Sequence, residues 1–478
     1  MGAVAHAVGG RVVGDPAVVV RSVAQDSRRV TPGGLFCCIR GDHQDGHDHA
    51  AAAAGSGAAA LLVEHELDLG LPQVVVPDTR AAVGPAAATV LGQPAERLAT
   101  VGVTGTNGKT TVVTLVGHLA EACGRRTDVV GTLTGSRTTP EACELQERFA
   151  ADVDAGVEVV ALEVSSHALV LGRVDGIRFD VAAFTNLGVD HLDFHVTLED
   201  YFAAKASLFT PQRCERAVVW VDDPWGRRLA DGLVGAGGVP VVAVSFADAV
   251  DRSWDGAAWR WTWRGHPVVL DRPGEHDVAN ALVACEVLAA LGADPAAIAG
   301  AVASAPAVPG RFERIDVRVA AEELPVVVVD FAHTPDALEQ ALLAARRLIA
   351  GTGRLVVVFG CGGDRDRSKR PQMGAVAARS ADLAVVCDDN PRSEEPALIR
   401  QQVAAGVDAA DRARLVEIGD RRAAIRHALR STGQGDVVLI AGKGHETGQT
   451  TAGVTVPFDD RVVAEEELRA RLDEERSS

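Results

Sequence analysis

Apolar positions fall into short runs with two different rhythms. Over residues 1–97 the runs Ala17 to Val20, Gly34 to Ile39, Ala59 to Val63 and Gln73 to Val76 are brief and separated by turn residues. That spacing predicts a small α/β unit. From Leu98 the rhythm becomes strand then helix: Ala99 to Val103 leads into a glycine loop, followed by Val157 to Val164, Phe179 to Phe184 and Ala217 to Val221. Such alternation predicts a mostly parallel sheet with helices on both faces, here over residues 98–313. Beyond Gly310 it resumes with Leu324 to Val329, Arg354 to Phe359, Ala381 to Cys387 and Asp436 to Ile440, predicting a second doubly wound unit over residues 314–478. A chain of 478 residues suits three such units, because single cores stop growing well below that length.

Trp259, Trp261 and Trp263 alternate with Arg260, Thr262 and Arg264, so a strand would put the indoles on one face and the guanidiniums on the other. A stacking platform for single-stranded nucleic acid has that composition. The formal charge of −18 repels polyphosphate and favours an amphipathic strand of a side sheet, with no nucleic-acid partner. The charged tail after Ala464 predicts a solvated terminal helix. Eight cysteines without a CxxC pair read as reduced thiols. No run of 18 apolar residues and no leader-like start occur, so a cytoplasmic chain without membrane insertion is expected.

Lysine and asparagine are scarce. The lysines are Lys109, Lys205, Lys369 and Lys443, the asparagines Asn107, Asn186, Asn280 and Asn390, and the other basic residues are all arginine. Under such a bias the survivors mark places where a compact ammonium or a donor–acceptor amide has no substitute.

The sharpest motif is GTNGKTT, Gly105 to Thr111, between an apolar strand and the helical pattern VVTLVGHLAEAC. Amides of such a loop and of the helix start cradle phosphates, the lysine meets the terminal phosphates, and the next hydroxyl, Thr110, meets magnesium. It departs from the general GxxxxGK[ST] pattern, because Val103 holds the first glycine position. Glu163 closes a strand in ALEVSSHAL, and TNLGVDHLDFH supplies Asn186, Asp190, His191, Asp193 and His195. Glu163 and His191 at strand ends could share a magnesium ion; spacing alone leaves capping roles equally open. Lys205 sits among apolar residues in LEDYFAAKASLF. A histidine cluster of His43, His47 and His49 lacks the partners of a zinc site.

GTNGKTT, EVSSH, TNLGVDHLDFH with the following AAK, VPGRFE (Val308 to Glu313) and DFAHTPDAL (Asp330 to Leu338) together resemble the Mur ligases, ATP-dependent amide-forming enzymes of peptidoglycan precursor synthesis. The resemblance runs from about Asp26 to Gln449. It implies a three-domain α/β architecture: an N-terminal UDP-sugar-binding domain, a central P-loop ATPase-like domain and a C-terminal Rossmann-like domain for the amino acid. It further implies that Lys205 is carbamylated by carbon dioxide and joins Thr110, Glu163 and His191 as a magnesium ligand. Lys109, Glu163, His191 and Lys205 would be catalytic. ATP would meet Gly105, Thr106, Asn107, Gly108, Lys109, Thr110, Thr111, Asn280, Arg311, Asp330 and His333.

TTPEACELQ (Thr138 to Gln146), GDRDRSKRP, DNPR and GKGHE resemble the branch that adds the third residue of the stem peptide. The implied substrates are UDP-N-acetylmuramoyl-L-alanyl-D-glutamate, meso-diaminopimelate and ATP, and the chain is expected to be monomeric. Ser27, His43 and Gln44 would lie near the uridine diphosphate, and Thr138, Thr139, Ser165, Arg173 and Lys205 near the muramoyl dipeptide. Arg365, Asp389, Asn390, Pro391, Arg392, Gly442 and Glu446 would hold diaminopimelate. Its distal carboxylate, absent from lysine, suits a bidentate guanidinium, and Arg392 is the natural fork. Arg137, Leu171 and Asp277 depart from the family pattern, and the chain begins without much of the usual leading helix. A lysine-adding ligase and a folylpolyglutamate synthetase are the alternatives within the superfamily. A nucleotide-dependent binding protein without ligase activity is disfavoured by the presence of Lys205, Glu163 and His191. The domains are expected to close on the substrates.

Overall fold

The structure of the chain, a computed structural model, describes residues 1–41, 44–235, 237–316 and 324–477. Among these residues, sheets of five, six and six strands follow one another, accompanied by a three-stranded sheet and a hairpin. The first has the order Arg11–Val13, Gln73–Val75, Ala60–Val63, Leu35–Cys37, Val23–Ala24. Its first pair is antiparallel and the others are parallel. Ala17 to Val20 is not a strand, contrary to its apolar look. The Asp15–Pro16 turn interrupts the chain there, and Val19 stays exposed with no sheet to cover it.

The second sheet is wholly parallel, in the order Val241–Val244, Cys214–Trp220, Phe179–Phe184, Ala99–Thr104, Val159–Glu163, Thr127–Val130. Both faces are covered, as parallel sheets require. Val181 and Ala183 pack into a core with the helices Lys109–Ala122 and Glu275–Ala290, whereas Ala182 and Phe184 pack against Ala142–Asp154 and Leu198–Ala206. The tryptophan strand, Trp259–Trp263, is the middle of the three-stranded antiparallel sheet. Its three indoles are buried in the core of the second unit, and Trp263 Nε1 donates to Glu286 Oε1 at 2.8 Å. No indole face is left for a base to stack on.

The third sheet runs Glu313–Arg314, Val326–Asp330, Val437–Ala441, Leu355–Phe359, Leu383–Val386, Leu415–Glu417, with only the first pair antiparallel. The terminal helix Asp460–Ser477 is less solvated than its charge suggests. Val463, Ala464 and Leu468 are buried in the third core, and Asp460 forms a fully buried ion pair with Arg421 at 2.6 Å.

The carboxyl ends of the second and third sheets open onto one cavity of about 800 Å³. Contacts bridge its two walls: Lys369 Nζ lies 3.2 Å from Asp190 Oδ1, and Arg311 Nη2 donates to Thr110 Oγ1 at 3.2 Å. Between His191 and the helix Leu198–Ala206, the chain makes a tight turn in which Thr197 N donates to His195 O at 2.7 Å. The turn is centred on Val196, at φ 63° and ψ −51°. That is the strained form of the γ-turn, costly for a β-branched residue, and the Val196 side chain is 77% exposed and gains nothing by packing. Val196→Gly is expected to stabilise the protein by about 1 kcal/mol, the strain removed less the added freedom of the unfolded chain. Thermal unfolding followed by circular dichroism checks this; an unchanged or lower melting temperature means the turn stores no strain.

Candidate active site

The glycine loop is shaped by what presses on it. A Cβ on Gly105 would lie 1.9 Å from Thr185 Oγ1, and one on Gly108, at φ 86°, would lie 2.4 Å from Asn280 Oδ1. The segment after the neighbouring strand pins the loop: Thr106 N donates to Asn186 O and Asn107 N to Asn186 Oδ1, both at 2.9 Å. Thr185 Oγ1 donates to Asn107 O at 2.6 Å. Lys109 Nζ donates to Gly105 O and Thr106 O at 2.9 Å. Thr106, Asn107, Gly108, Lys109, Thr110 and Thr111 line the cavity, so the loop and the first turn of the helix Lys109–Ala122 face it as an anion cradle. Val103 is harmless at the first glycine position, because the strand continues through it to Thr104.

Glu163 is 1% exposed. Its Oε1 accepts from Thr132 N at 2.8 Å and its Oε2 from Thr132 Oγ1 at 3.2 Å, and no ion pair reaches it among the described residues. Burial pushes the His191 imidazole down to about 3, leaving it neutral. Lys205 is also 1% exposed, and its Nζ donates to Gly105 O at 2.8 Å. Burial, reinforced by the neighbouring Lys109 ammonium, holds its amine well below the usual lysine range. These groups fit magnesium. A buried carboxylate without a cation, a hydroxyl at Thr110 and a neutral imidazole are suitable donors, and a carbamate on Lys205 would add oxygens. No three His, Cys, Asp or Glu side chains among the described residues converge as a ready-made metal site, so phosphate oxygens and the modified lysine would have to complete it.

Thr139 Oγ1 donates to Glu163 O at 2.7 Å, and Ser165 N donates to Thr139 Oγ1 at 3.1 Å. Arg173 donates to Thr139 O at 3.2 Å and pairs with Glu141 at 2.9 Å. Thr138 Oγ1 lies 3.0 Å from Thr132 Oγ1, so Thr138 joins the network at Glu163 through Thr132, while Ser165 and Arg173 join it through Thr139; Thr138 and Ser165 are on the cavity wall. Glu141 and Gln25, whose Nε2 donates to Glu141 Oε2 at 3.2 Å, extend it to the first unit and escaped the sequence reading. Ser27, in a short helical turn capped by Asp26, and exposed Gln44 do not reach the cavity. His43 lies outside the described residues. His47 is held by Asp45 Oδ1 at 2.6 Å and Glu64 N at 2.9 Å, which accounts for both ring nitrogens.

Across the cavity, Asp389 to Arg392 follow the strand Leu383–Val386. Asn390 Nδ2 donates to Glu446 Oε2 at 2.8 Å, and Lys443 Nζ lies 3.1 Å from the same oxygen. Arg392, at φ 54°, donates through Nη1 to Gly363 O at 2.7 Å. Burial and the nearby Arg365 charge lower its pKa, so two guanidiniums converge where an anion would relieve them. Arg365, Asp389, Asn390, Arg392, Gly442 and Glu446 line the cavity, whereas Pro391 only shapes the turn. Asn280, Arg311, Asp330 and His333 complete the wall between the two sets. Asp330 accepts from Phe312 N and Ala332 N, both at 2.7 Å, and Arg311 stacks over Phe331 at 4.2 Å. Lys369, buried against Asp190, was marked by the scarcity of lysine and by its place in GDRDRSKRP, without a role of its own.

A phosphate loop on one parallel sheet facing a cationic loop cluster on another defines a multi-unit α/β protein that brings a nucleotide and an anionic second ligand together. The chain belongs to the Mur ligase family. The Mur ligase family catalytic domain matches residues 19–100, the Mur ligase middle domain 103–288, and the Mur ligase glutamate ligase domain 310–444. It is 45% identical to the UDP-N-acetylmuramoyl-L-alanyl-D-glutamate--2,6-diaminopimelate ligase of Streptomyces coelicolor, over 95% of this chain and 94% of that one. The protein of the same name from Geobacillus kaustophilus is 42% identical, over 96% of each chain. A solved structure of a ligase of that name superposes with a TM-score of 0.66 at 33% identity, covering 95% of both chains. MurF of Thermotoga maritima, solved with ADP, shares the fold at a TM-score of 0.66 and 21% identity, covering 96% of this chain and 100% of that one.

Three buried or half-buried imidazoles give the fold a pH signature. Burial pushes His191 down to about 3 and His195 and His445 down to about 4. All three are neutral when folded and take up a proton when unfolded, so their contribution is complete above the ordinary value of 6.5 and is lost as pH falls towards 4. Denaturant midpoints are expected to drop across that window and to drop less in His195→Gln. Parallel pH profiles for the two proteins would exclude His195 as a contributor.

Proposed function

We propose that the chain joins meso-diaminopimelate to UDP-N-acetylmuramoyl-L-alanyl-D-glutamate in an ATP-dependent ligase reaction of peptidoglycan precursor synthesis. One observation carries the reading: the phosphate loop and the Arg365–Arg392 pair face each other across a single cavity, which suits attack between a phosphorylated carboxylate and an incoming amino acid. Residues 1–97 would bind the UDP-sugar, 98–313 ATP and 314–478 the amino acid, in a cytoplasmic monomer.

A carboxylate is a poor electrophile until one oxygen becomes part of a good leaving group. The D-glutamate carboxylate attacks the γ-phosphorus of ATP, forming an acyl phosphate and ADP. The diaminopimelate amine then adds to the acyl carbon and expels phosphate. Gly105 to Thr111 hold the phosphates, Lys109 turns from the loop carbonyls to their charge, and Asn280, Arg311, Asp330 and His333 frame the nucleotide. Thr138, Thr139, Ser165 and Arg173 orient the dipeptide, with Ser27, His43 and Gln44 towards the uridine end. Arg392 and Arg365 grip the carboxylates of diaminopimelate while Asp389, Asn390, Gly442 and Glu446 fix its amine end. The neutral Lys205 amine adds to carbon dioxide, forming an N–C bond and releasing one proton to solvent. Magnesium, held by Thr110, Glu163, His191 and the Lys205 carbamate, would neutralise charge on the transferring phosphoryl group.

Phosphate release with ATP and the muramoyl dipeptide is expected with meso-diaminopimelate and not with L-lysine. Arg392→Ala should lose about 3 kcal/mol of transition-state binding, roughly a hundredfold in kcat/KM for diaminopimelate, and with it the discrimination against lysine. Oxygen-18 in the glutamate carboxylate should appear in the released phosphate. Product peptide with unlabelled phosphate would overturn the acyl-phosphate route.

A further inference from the structure

The chain has one tyrosine against 12 phenylalanines. A phenyl ring fills an apolar core as well as a phenol does, so the one phenol kept under this bias marks a place that uses the hydroxyl. Tyr201 is 1% exposed, on the helix Leu198–Ala206. Its hydroxyl oxygen accepts from Thr106 Oγ1 at 3.2 Å, and Thr106 Oγ1 in turn accepts from Gly188 N at 3.0 Å. Lys205 follows one helical turn later on the same face. Its Nζ donates to Gly105 O at 2.8 Å and sits 4.5 Å from the Tyr201 ring centroid. The helix thus grips Gly105 and Thr106 at two neighbouring points. From the other side the His195 ring, bonded to Ser166 Oγ at 2.8 Å, lies 4.9 Å from the phenol ring.

The two points respond differently to modification of Lys205, and the inference rests on the carbamate reading above. Carbamylation replaces a neutral amine with two donors by one N–H and two acceptor oxygens, which are repelled by the Gly105 carbonyl. The electron-rich face of the Tyr201 ring repels the anion as well. The lysine end of the grip therefore weakens, and the bond from Thr106 Oγ1 to the Tyr201 hydroxyl is unaffected. We propose that Tyr201 is a positioning residue: through its hydroxyl it anchors the helix to Thr106 and keeps the modified Lys205 in register with the phosphate loop.

Tyr201→Phe removes one oxygen and leaves Thr106 Oγ1 its bond from Gly188. With carbon-13 bicarbonate, the variant should show the same NMR carbamate signal and occupancy as the parent, and its melting temperature should stay within about 2 °C, as expected for loss of one modest hydrogen bond. Turnover should fall at least tenfold in kcat, with a raised magnesium requirement and an unchanged KM for diaminopimelate, because misplacement acts on the phosphoryl-transfer step. Thr106→Val should give the same pattern, and the double variant should be no worse than the poorer single one. Parental kcat and magnesium dependence in Tyr201→Phe, or additive losses in the double variant, would overturn the proposal. A carbamate signal lost only in Tyr201→Phe would overturn it too, because the hydroxyl would then govern modification rather than position. No carbamate signal in the parent would remove the carbamate reading itself, a result distinct from the others.

Discussion

The phosphate loop is held from outside. Its backbone closes on Thr185 and Asn186, at the end of a different strand, and on Asn280, from a helix far along the chain. Neither glycine at these contacts could be replaced without moving a neighbour, so the anion cradle exists only once the parallel strands Ala99–Thr104 and Phe179–Phe184 lie side by side. Parallel pairing puts both carboxyl ends at the same edge, and the third sheet brings its own carboxyl ends to face them. Loop chemistry, acceptor chemistry and the wall between them follow from that arrangement.

The buried parallel strands were legible because their hydrophobicity is continuous. Phe179 to Phe184 coincides with its observed strand, and the other central runs fall within a few residues of theirs. The edge strands Thr127–Val130, Val241–Val244 and Leu415–Glu417 were not, because an edge strand is short and partly solvated and its sequence looks like a loop. Ala17 to Val20 shows the opposite error: Val18 and Val20 pack on the first core, but the run pairs with no strand.

For the site, scarcity was the better guide. Lys205, Lys369 and Lys443 are all buried, and Asn107, Asn186, Asn280 and Asn390 all line the cavity. Where nearly every other basic position is arginine, a lysine amine persists where a guanidinium would not fit. Glu141 and Gln25 gave no such signal, since glutamate is common here and their partnership spans two units. Composition can reveal a residue that resists substitution. It cannot reveal a contact made only by folding.

Asp190 shows why the second and third units behave as one site. Burial alone would raise its pKa; the His333 ring and the Lys369 ammonium outweigh that and hold it well below the usual carboxylate range. Lys369 Nζ stands 3.2 Å from one oxygen, and His333 Nε2 and His191 Nε2 stand 3.4 and 3.5 Å from the other. Breaking a buried pair of this kind strands a charge, at a cost of about 3–5 kcal/mol, so separating the units is resisted at this point. Lys369 opens the helix that follows the Arg365 loop, and Asp190 immediately precedes His191. The loop that carries Arg365 is therefore tied to a residue next to His191 by an ion pair, and Arg347 paired with Glu275 at 2.8 Å ties the two units at a second point.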